Sequence, residues 1–226
     1  MLKRAFDIGF SLGWLIFFSP LLLVVAILVR LRLGSPVLFI QERPGLRAKP
    51  FRMVKFRTMN EARGPDGELL PDDQRLTSFG RFLRATSLDE FPEMWNVLIG
   101  DMSVVGPRPL LMRYVARYDA FQARRMEVKP GVTGWAQING RNTLTWEEKF
   151  TLDAWYVDNR TFGLDMQIVV LTFFRVLARS GAERPASAPP FEEFRGSLKD
   201  WRPGGPEARL TRGARNRRGS EAQRLG

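Results

Sequence analysis

Apolar residues along this chain of 226 residues change spacing several times, and each change predicts an element. The first stretch, Ala5 to Val29 (AFDIGFSLGWLIFFSPLLLVVAILV), is apolar on all sides, and from Ile8 to Val29 it carries no charge. At ~1.5 Å rise per residue it is long enough to cross a ~30 Å hydrocarbon core. Ser19-Pro20 interrupts its middle. Proline removes a backbone donor and clashes with the preceding turn, and a serine hydroxyl can bond the carbonyl so freed. Lys3 and Arg4 precede the run, and Arg30 and Arg32 follow it. Basic residues favour the cytoplasmic side, so both ends point to the same face, as in a helix that enters and returns. A signal anchor that tolerates its proline is the competing reading. A cleavable signal peptide fits worse, because Arg-Leu-Arg stands where small residues are needed. Asp7 reads as an interfacial residue or as a first-turn acid facing the helix dipole.

Alternation then takes over. Val37–Gln41 and Pro50–Thr58 (PFRMVKFRT) predict two short strands joined by a turn at Pro44-Gly45. Glu61 to Arg75 is a polar loop. Helical spacing returns at Phe79–Arg84, and again from Ser87, where Phe91, Trp95 and Leu98 share a face. Leu110 to Met126 predicts one long helix ending before Lys129-Pro130-Gly131. Gly131, Gly134 and Gly140 mark a loop, and Thr145-x-x-Glu148 is a capping box for a helix to about Asp158. A last helix, Leu164 to Ala178, is apolar on more than one side. It is expected in the membrane interface or against the first segment. The fold class is thus α+β, mostly α: residues 1–34 in the membrane segment, 35–179 in one domain, and 180–226 in a basic, disordered tail.

Composition narrows the chemistry. There is no Cys and no His, which excludes thiolate nucleophiles, disulfides, imidazole acid–base chemistry and Cys/His zinc sites. Lys and Arg number 35 against 24 Asp and Glu, and the net charge of +11 suits anionic lipid, nucleotide or phosphate. The tail lacks the interleaved aromatics of a nucleic-acid binder, so no specific nucleic acid is expected.

The sharpest cluster is Ser87-Leu88-Asp89-Glu90-Phe91-Pro92-Glu93-Met94-Trp95-Asn96. One reading is purely structural: Ser87-x-x-Glu90 as a capping box, or Asp89 as N-cap with Pro92 in the first turn. The other is chemical: adjacent carboxylates diverge, so one can attack while the other holds a metal. Arg84, Arg108 and Arg141, each in a loop or at a helix end, supply charge for a phosphate.

SLDEFPEMWNVLIGDMSVVGPRP (87–109) and KPGVTGWAQINGRN (129–142), with the upstream PVLFIQERPG, KFRTM and the membrane FSP, closely resemble the bacterial sugar transferases, the small monotopic polyprenyl-phosphate phosphoglycosyl transferases. The resemblance runs from about Lys3 to Ala178. It implies transfer of a sugar-1-phosphate from a UDP-sugar to undecaprenyl phosphate at the cytoplasmic membrane face, with release of UMP and a start to surface polysaccharide or glycoconjugate assembly. Asp89 matches the nucleophile of a covalent phosphosugar intermediate, and Glu90 the acid associated with Mg2+, with Asp89 beside it. Arg84, Arg108 and Arg141 match phosphate-holding positions. Lys55 and Asp165 match functionally sensitive ones, and Ser19-Pro20 matches the break of a re-entrant helix. Phe91 departs from the usual leucine, a change expected to alter packing rather than chemistry. Expected partners are the bilayer, undecaprenyl phosphate and the UDP-sugar, with a homodimer left open. Two rival readings remain: a non-catalytic basic membrane scaffold, and direct Mg2+-assisted transfer without a covalent step.

Overall fold

In the computed structural model, which describes residues 1–140 and 144–178, the apolar run forms two helices, α1 (Leu2–Phe17) and α2 (Ser19–Leu33), bent by 63°. No single described helix is long and apolar enough to cross a membrane, but this bent pair is when its halves are taken together. The bend has a local cause. Pro20 has no N–H to give the carbonyl four residues back, and the Ser19 hydroxyl donates to that Ile16 carbonyl at 2.7 Å instead.

Both helices are held by one face. Phe6, Phe10 and Trp14 of α1 pack against a core of Phe51, Met53, Val97, Met102, Val104 and Ile168. Val25, Val29 and Leu33 of α2 pack with Phe56 and Leu83 in a second cluster. The opposite faces leave Ile8, Leu12, Ile16, Phe17, Leu23, Val24, Ile27 and Leu31 exposed. Asp7 belongs to neither role expected of it. It is buried, and its carboxylate accepts from the Ser103 hydroxyl and the Val104 N–H, both at 3.0 Å. Two backbone or hydroxyl donors with no other outlet hold it there. Arg4 donates to the carbonyls of Val97 and Leu98 at 2.7 and 2.8 Å, and Lys3 pairs with Asp165 at 2.5 Å. Arg30 and Arg32 are exposed in the last turn of α2.

The architecture is α+β and mostly helical, with two small sheets. Strands β1 (Leu38–Pro44) and β2 (Pro50–Phe56) form the expected antiparallel hairpin. A one-turn helix α3 (Asp72–Arg75) follows a polar loop, and α4 (Ser78–Thr86) starts on a Thr77 side-chain cap. After a 3-10 turn at Leu88–Glu90 comes α5 (Glu93–Ile99). Asn96 on α5 treats the hairpin edge as a third strand would: its amide accepts from the Val54 N–H at 3.0 Å and donates to the Arg52 carbonyl at 2.7 Å.

Beyond α5 the structure departs from the sequence reading. Leu110 to Met126 is not one helix. It is a 3-10 segment (Met112–Arg117), a short α6 (Ala120–Ala123) and another 3-10 turn (Arg124–Met126). Asp119 is extended and starts a fresh capping box with Gln122, which ends any helix coming into it. The glycine-marked loop contains β4 (Gly131–Thr133), parallel to β3 (Ser103–Val105), followed by α7 (Trp135–Asn139). That pairing is non-local, and each strand is only three residues long, too short for alternation to register. Helix α8 (Trp146–Asn159) begins on the predicted Thr145–Glu148 capping box, and α9 (Phe162–Ala178) closes the described chain. Asp165 and Ile168 of α9 are buried, while Val170, Leu171, Phe173, Phe174 and Val176 are exposed. The basic tail expected over 180–226 lies outside the described residues.

Gly80 is the tightest approach near the acids. A Cβ there would stand 1.8 Å from the Thr58 carbonyl oxygen, a backbone atom that cannot swing away. In Gly80→Ala the gain in helix propensity of about 1 kcal/mol is outweighed by this clash. We expect a net loss of at least about 2 kcal/mol in chemical unfolding of the detergent-solubilised protein.

Candidate active site

The two adjacent acids sit in a turn that backbone strain and aromatic packing define together. Helix α4 ends at Ser87, which adopts a left-handed conformation (φ 59°), and the chain then tightens into the 3-10 turn bearing Asp89 and Glu90. The Ser87-x-x-Glu90 capping box does not form, since Ser87 makes no side-chain cap there. Glu90 is engaged elsewhere. A non-glycine residue at positive φ costs on the order of 1 kcal/mol or more, and such strain gathers at functional sites. Phe91 anchors the turn, with its ring edge-on to Trp14 at 5.0 Å and to Phe18 at 5.3 Å between centroids. Phe18 is the junction between α1 and α2. The acids are therefore held directly against the bend.

Around them stand cations from three separate segments, one of them braced by a fourth. Arg108, in the Gly106–Pro109 loop, grips Glu90 with both guanidinium nitrogens, one of these bonds at 3.3 Å. Lys55 on β2 lies 3.3 Å from Glu90 and 2.9 Å from Glu93. Arg84, in the last turn of α4, donates through Nε to the Thr58 hydroxyl at 3.0 Å. Arg125 holds Arg108 from behind, donating to its carbonyl at 2.7 Å while pairing with Asp153 of α8 at 2.7 Å.

These neighbours push the acids in different directions. Burial, and after it the charge of Glu90, raise the Asp89 carboxyl to about 6, with Lys55, Arg108 and Arg84 opposing. Burial also pushes Glu90 upward, but Arg108 and Lys55 outweigh it and hold Glu90 below the usual carboxylate range. Glu93 is raised, chiefly by burial. Arg108 is raised by Glu90 and stays charged. Neighbouring carboxylates driven apart in this way take different roles: Glu90 a fixed anion, Asp89 a carboxylate close to its titration point.

The profile of the bacterial sugar transferase family matches residues 1–179. The chain belongs to that family. An uncharacterized sugar transferase of Bacillus subtilis (strain 168), EpsL, is 54% identical over 184 residues, covering 81% of this chain and 91% of that protein. A UDP-glucose:undecaprenyl-phosphate glucose-1-phosphate transferase of Klebsiella pneumoniae is 42% identical over 183 residues, covering 76% of this chain but 39% of the relative. An undecaprenyl-phosphate galactose phosphotransferase of Salmonella typhimurium is 38% identical over 198 residues, 80% of this chain and 41% of the relative. The chain thus spans about two fifths of the length of these two larger relatives.

Of the residues singled out from sequence, Asp89, Glu90, Lys55, Arg108 and Arg84 converge in this transferase, and Ser19-Pro20 forms the bend beside them. Arg141 lies outside the described residues. Asp165 belongs to a neighbouring cluster. It accepts from Tyr156 at 2.6 Å and pairs with Lys3, and both of these partners also donate to the Val105 carbonyl. That cluster ties α1, α8 and α9 to the end of β3, three residues before Arg108. Glu93, Arg43 and Arg125 were not singled out. Glu93 and Arg43 lie inside quoted motifs, but nothing local distinguishes a buried charge from a surface one.

Asp89→Asn is expected to abolish turnover and at the same time stabilise the fold. A carboxyl raised from 3.8 to about 6 binds more protons folded than unfolded, so stability falls as pH climbs through that interval and the cost persists at neutral pH. Relief of the cost by the amide corresponds to about 1–3 kcal/mol, read by unfolding at pH 7.5, and the gain should vanish near pH 3.5. Lower stability of the variant at pH 7.5 would contradict the raised Asp89.

Proposed function

We propose that this transferase moves a sugar-1-phosphate from a UDP-sugar to undecaprenyl phosphate through a covalent Asp89 intermediate. The observation that carries this reading is a buried carboxylate, raised to about 6, ringed by Lys55, Arg108 and Arg84 and packed through Phe91 against the bend of an apolar helix pair. The substrates named for the Klebsiella and Salmonella relatives support it. Ionised Asp89 attacks the phosphorus that bears the sugar. The bridging P–O bond breaks, its electron pair leaves with UMP, and an acyl phosphate joins Asp89 to the sugar phosphate. An oxygen of undecaprenyl phosphate then attacks the same phosphorus, releasing the Asp89 carboxylate and the lipid diphosphate sugar. Arginine contacts to phosphate strengthen as water is excluded.

Among the described residues no group of three or more acids could enclose a metal. The donors present still suit Mg2+, which takes oxygen ligands and commonly uses one or two carboxylates plus substrate phosphates. Glu90, with Asp89, would hold it, exchanging part of its contact with Arg108. The ion would neutralise charge on the diphosphate.

The bent pair is read as re-entrant, with both ends on the cytoplasmic face. Lys3, Arg4 and Asp7 are bonded into the globular part, and only residues 34–37 separate Leu33 from its hairpin, so both ends lie on one side of the pair. The exposed apolar faces of α1, α2 and α9 suit lipid. Such a site meets a soluble nucleotide on one side and a lipid phosphate on the other.

Two measurements test these readings. Incubation with a UDP-sugar in the absence of lipid should release UMP in a burst of about one equivalent. Intact-protein mass spectrometry should show a matching gain of one sugar phosphate, absent in Asp89→Asn. Acceptor-dependent UMP release with no adduct would point to direct transfer instead.

For topology, Leu2→Cys adds the sole cysteine and should be labelled only from the cytoplasmic side. Replacing Ser19 and Pro20 by Leu should straighten the pair and give labelling from outside as well. External labelling of Leu2→Cys alone would mean an ordinary spanning helix.

A further inference from the structure

The inner face of the β1–β2 hairpin carries a cation that the reaction scheme does not use. In the hairpin register Arg43 faces Phe51, Gln41 faces Met53, and Phe39 faces Lys55, so Arg43 and Gln41 share the face that presents Lys55 to the acids. Phe51 and Met53 on that face are buried, which directs it inward. Arg43 donates from Nη2 to the Gln41 side-chain carbonyl at 2.6 Å, while its Nε is buried without a hydrogen-bond partner among the described residues. Burial and the like charge of Arg108 lower Arg43 to about 10, with Glu93 opposing, so it remains charged at neutral pH.

A guanidinium in this state is incompletely matched. The side chain that accepts from it among the described residues is a neutral amide. Glu93, the acid that acts on it, is already paired with Lys55. Leaving a buried N–H unmatched costs on the order of 1–3 kcal/mol, a cost that an incoming anion removes. Position along the site selects the anion. The cations acting on Asp89 are Lys55, Arg108 and Arg84, whereas Arg43 acts on Arg108 and Glu93. A diphosphate whose sugar-bearing phosphorus lies at Asp89 extends its other phosphate away from that carboxylate; Arg43 stands four positions along β1 from Phe39, the cross-strand partner of Lys55, and its neighbour Pro44 lines a cavity together with Arg108.

On the reading of the donor given above, the geometry points to Arg43, oriented by Gln41, as a ligand for the nucleoside-side phosphate of the donor and hence for the nucleoside monophosphate that leaves. It is a residue of donor binding and leaving-group capture, with no role toward the lipid phosphate.

The test uses the full-length protein in detergent with UMP as probe. In Arg43→Gln, the UMP inhibition constant and the donor KM should each rise at least about ten-fold, with the acceptor KM unchanged. Arg43→Lys should recover only part of the loss, since an ammonium cannot present the planar fork. Thermal unfolding of Arg43→Gln should match or exceed that of the parent, because a half-buried, incompletely matched charge is gone. An unchanged UMP constant in Arg43→Gln overturns the assignment, as does an equal rise in donor and acceptor KM, which would mark general distortion. Failure of the parent itself to bind UMP would overturn the donor reading, and this inference with it.

Discussion

The carbonyl of Ile16 lacks the usual N–H four residues on, and most of the arrangement depends on how that is resolved. Proline at position 20 withdraws the N–H, and the serine before it supplies a hydroxyl from the same turn. The helix can therefore bend inside an apolar run without leaving that carbonyl bare; in the proposed membrane setting an unsatisfied group would cost several kcal/mol. The bend turns Phe18 toward Phe91, and Trp14 reaches the same ring from the preceding turn. One local substitution of donors thus brings the acid-bearing turn to the junction of the two apolar helices. Straightening the pair would move Phe18 away from Phe91 while the polar bonds of Lys3, Arg4 and Asp7 still held the start of α1.

Those polar bonds explain why α1 begins as it does. Basic residues before an apolar segment are usually read through membrane sidedness, yet Lys3 and Arg4 also terminate backbone carbonyls at Val105, Val97 and Leu98. In the proposed re-entrant arrangement the two roles agree. A side chain bonded into the globular part cannot lie on the opposite face of a bilayer from it. Asp7 adds a buried carboxylate to the same interface, satisfied by Ser103 and Val104.

Legibility from sequence followed the range of the interaction. The hairpin, α4, the Thr145 capping box and the broken apolar segment each rest on neighbours within a few residues, and each was readable. The Asp89–Glu90 pair and its arginines were readable as residue types, and the family resemblance implies roles for them. The structure adds what connects them. Lys55 reaches Glu90 across 35 positions and Arg108 across 18, separations that carry no periodic signal. The apolar spacing of 110–126 suits one helix, but the Asp119–Gln122 capping box within it starts a new one. Asp7 is the opposite case: a lone acid near an apolar run has an obvious surface role, and its actual partners lie 96 and 97 residues away.

Arg108 shows how a helix outside the acid cluster can still fix it. The loop that carries Arg108 has proline on both sides, so neither neighbour can donate a backbone bond to hold it. Its carbonyl is held instead by Arg125, whose guanidinium is buried, lies 5.4 Å from the Phe150 ring centroid and pairs with buried Asp153. Burial raises Asp153, so the pair is not a strong source of stability; replacing a buried ion pair by apolar residues is often neutral or better. What an apolar pair cannot do is donate to a carbonyl at a fixed point. Since Arg108 meets Glu90 with both nitrogens, a small rotation of its backbone would reduce that grip to a single contact and weaken the largest of the interactions that keep Glu90 ionised beside Asp89. Helix α8, started by Thr145 and carrying Asp153, therefore bears on the charge state of an acid it never touches.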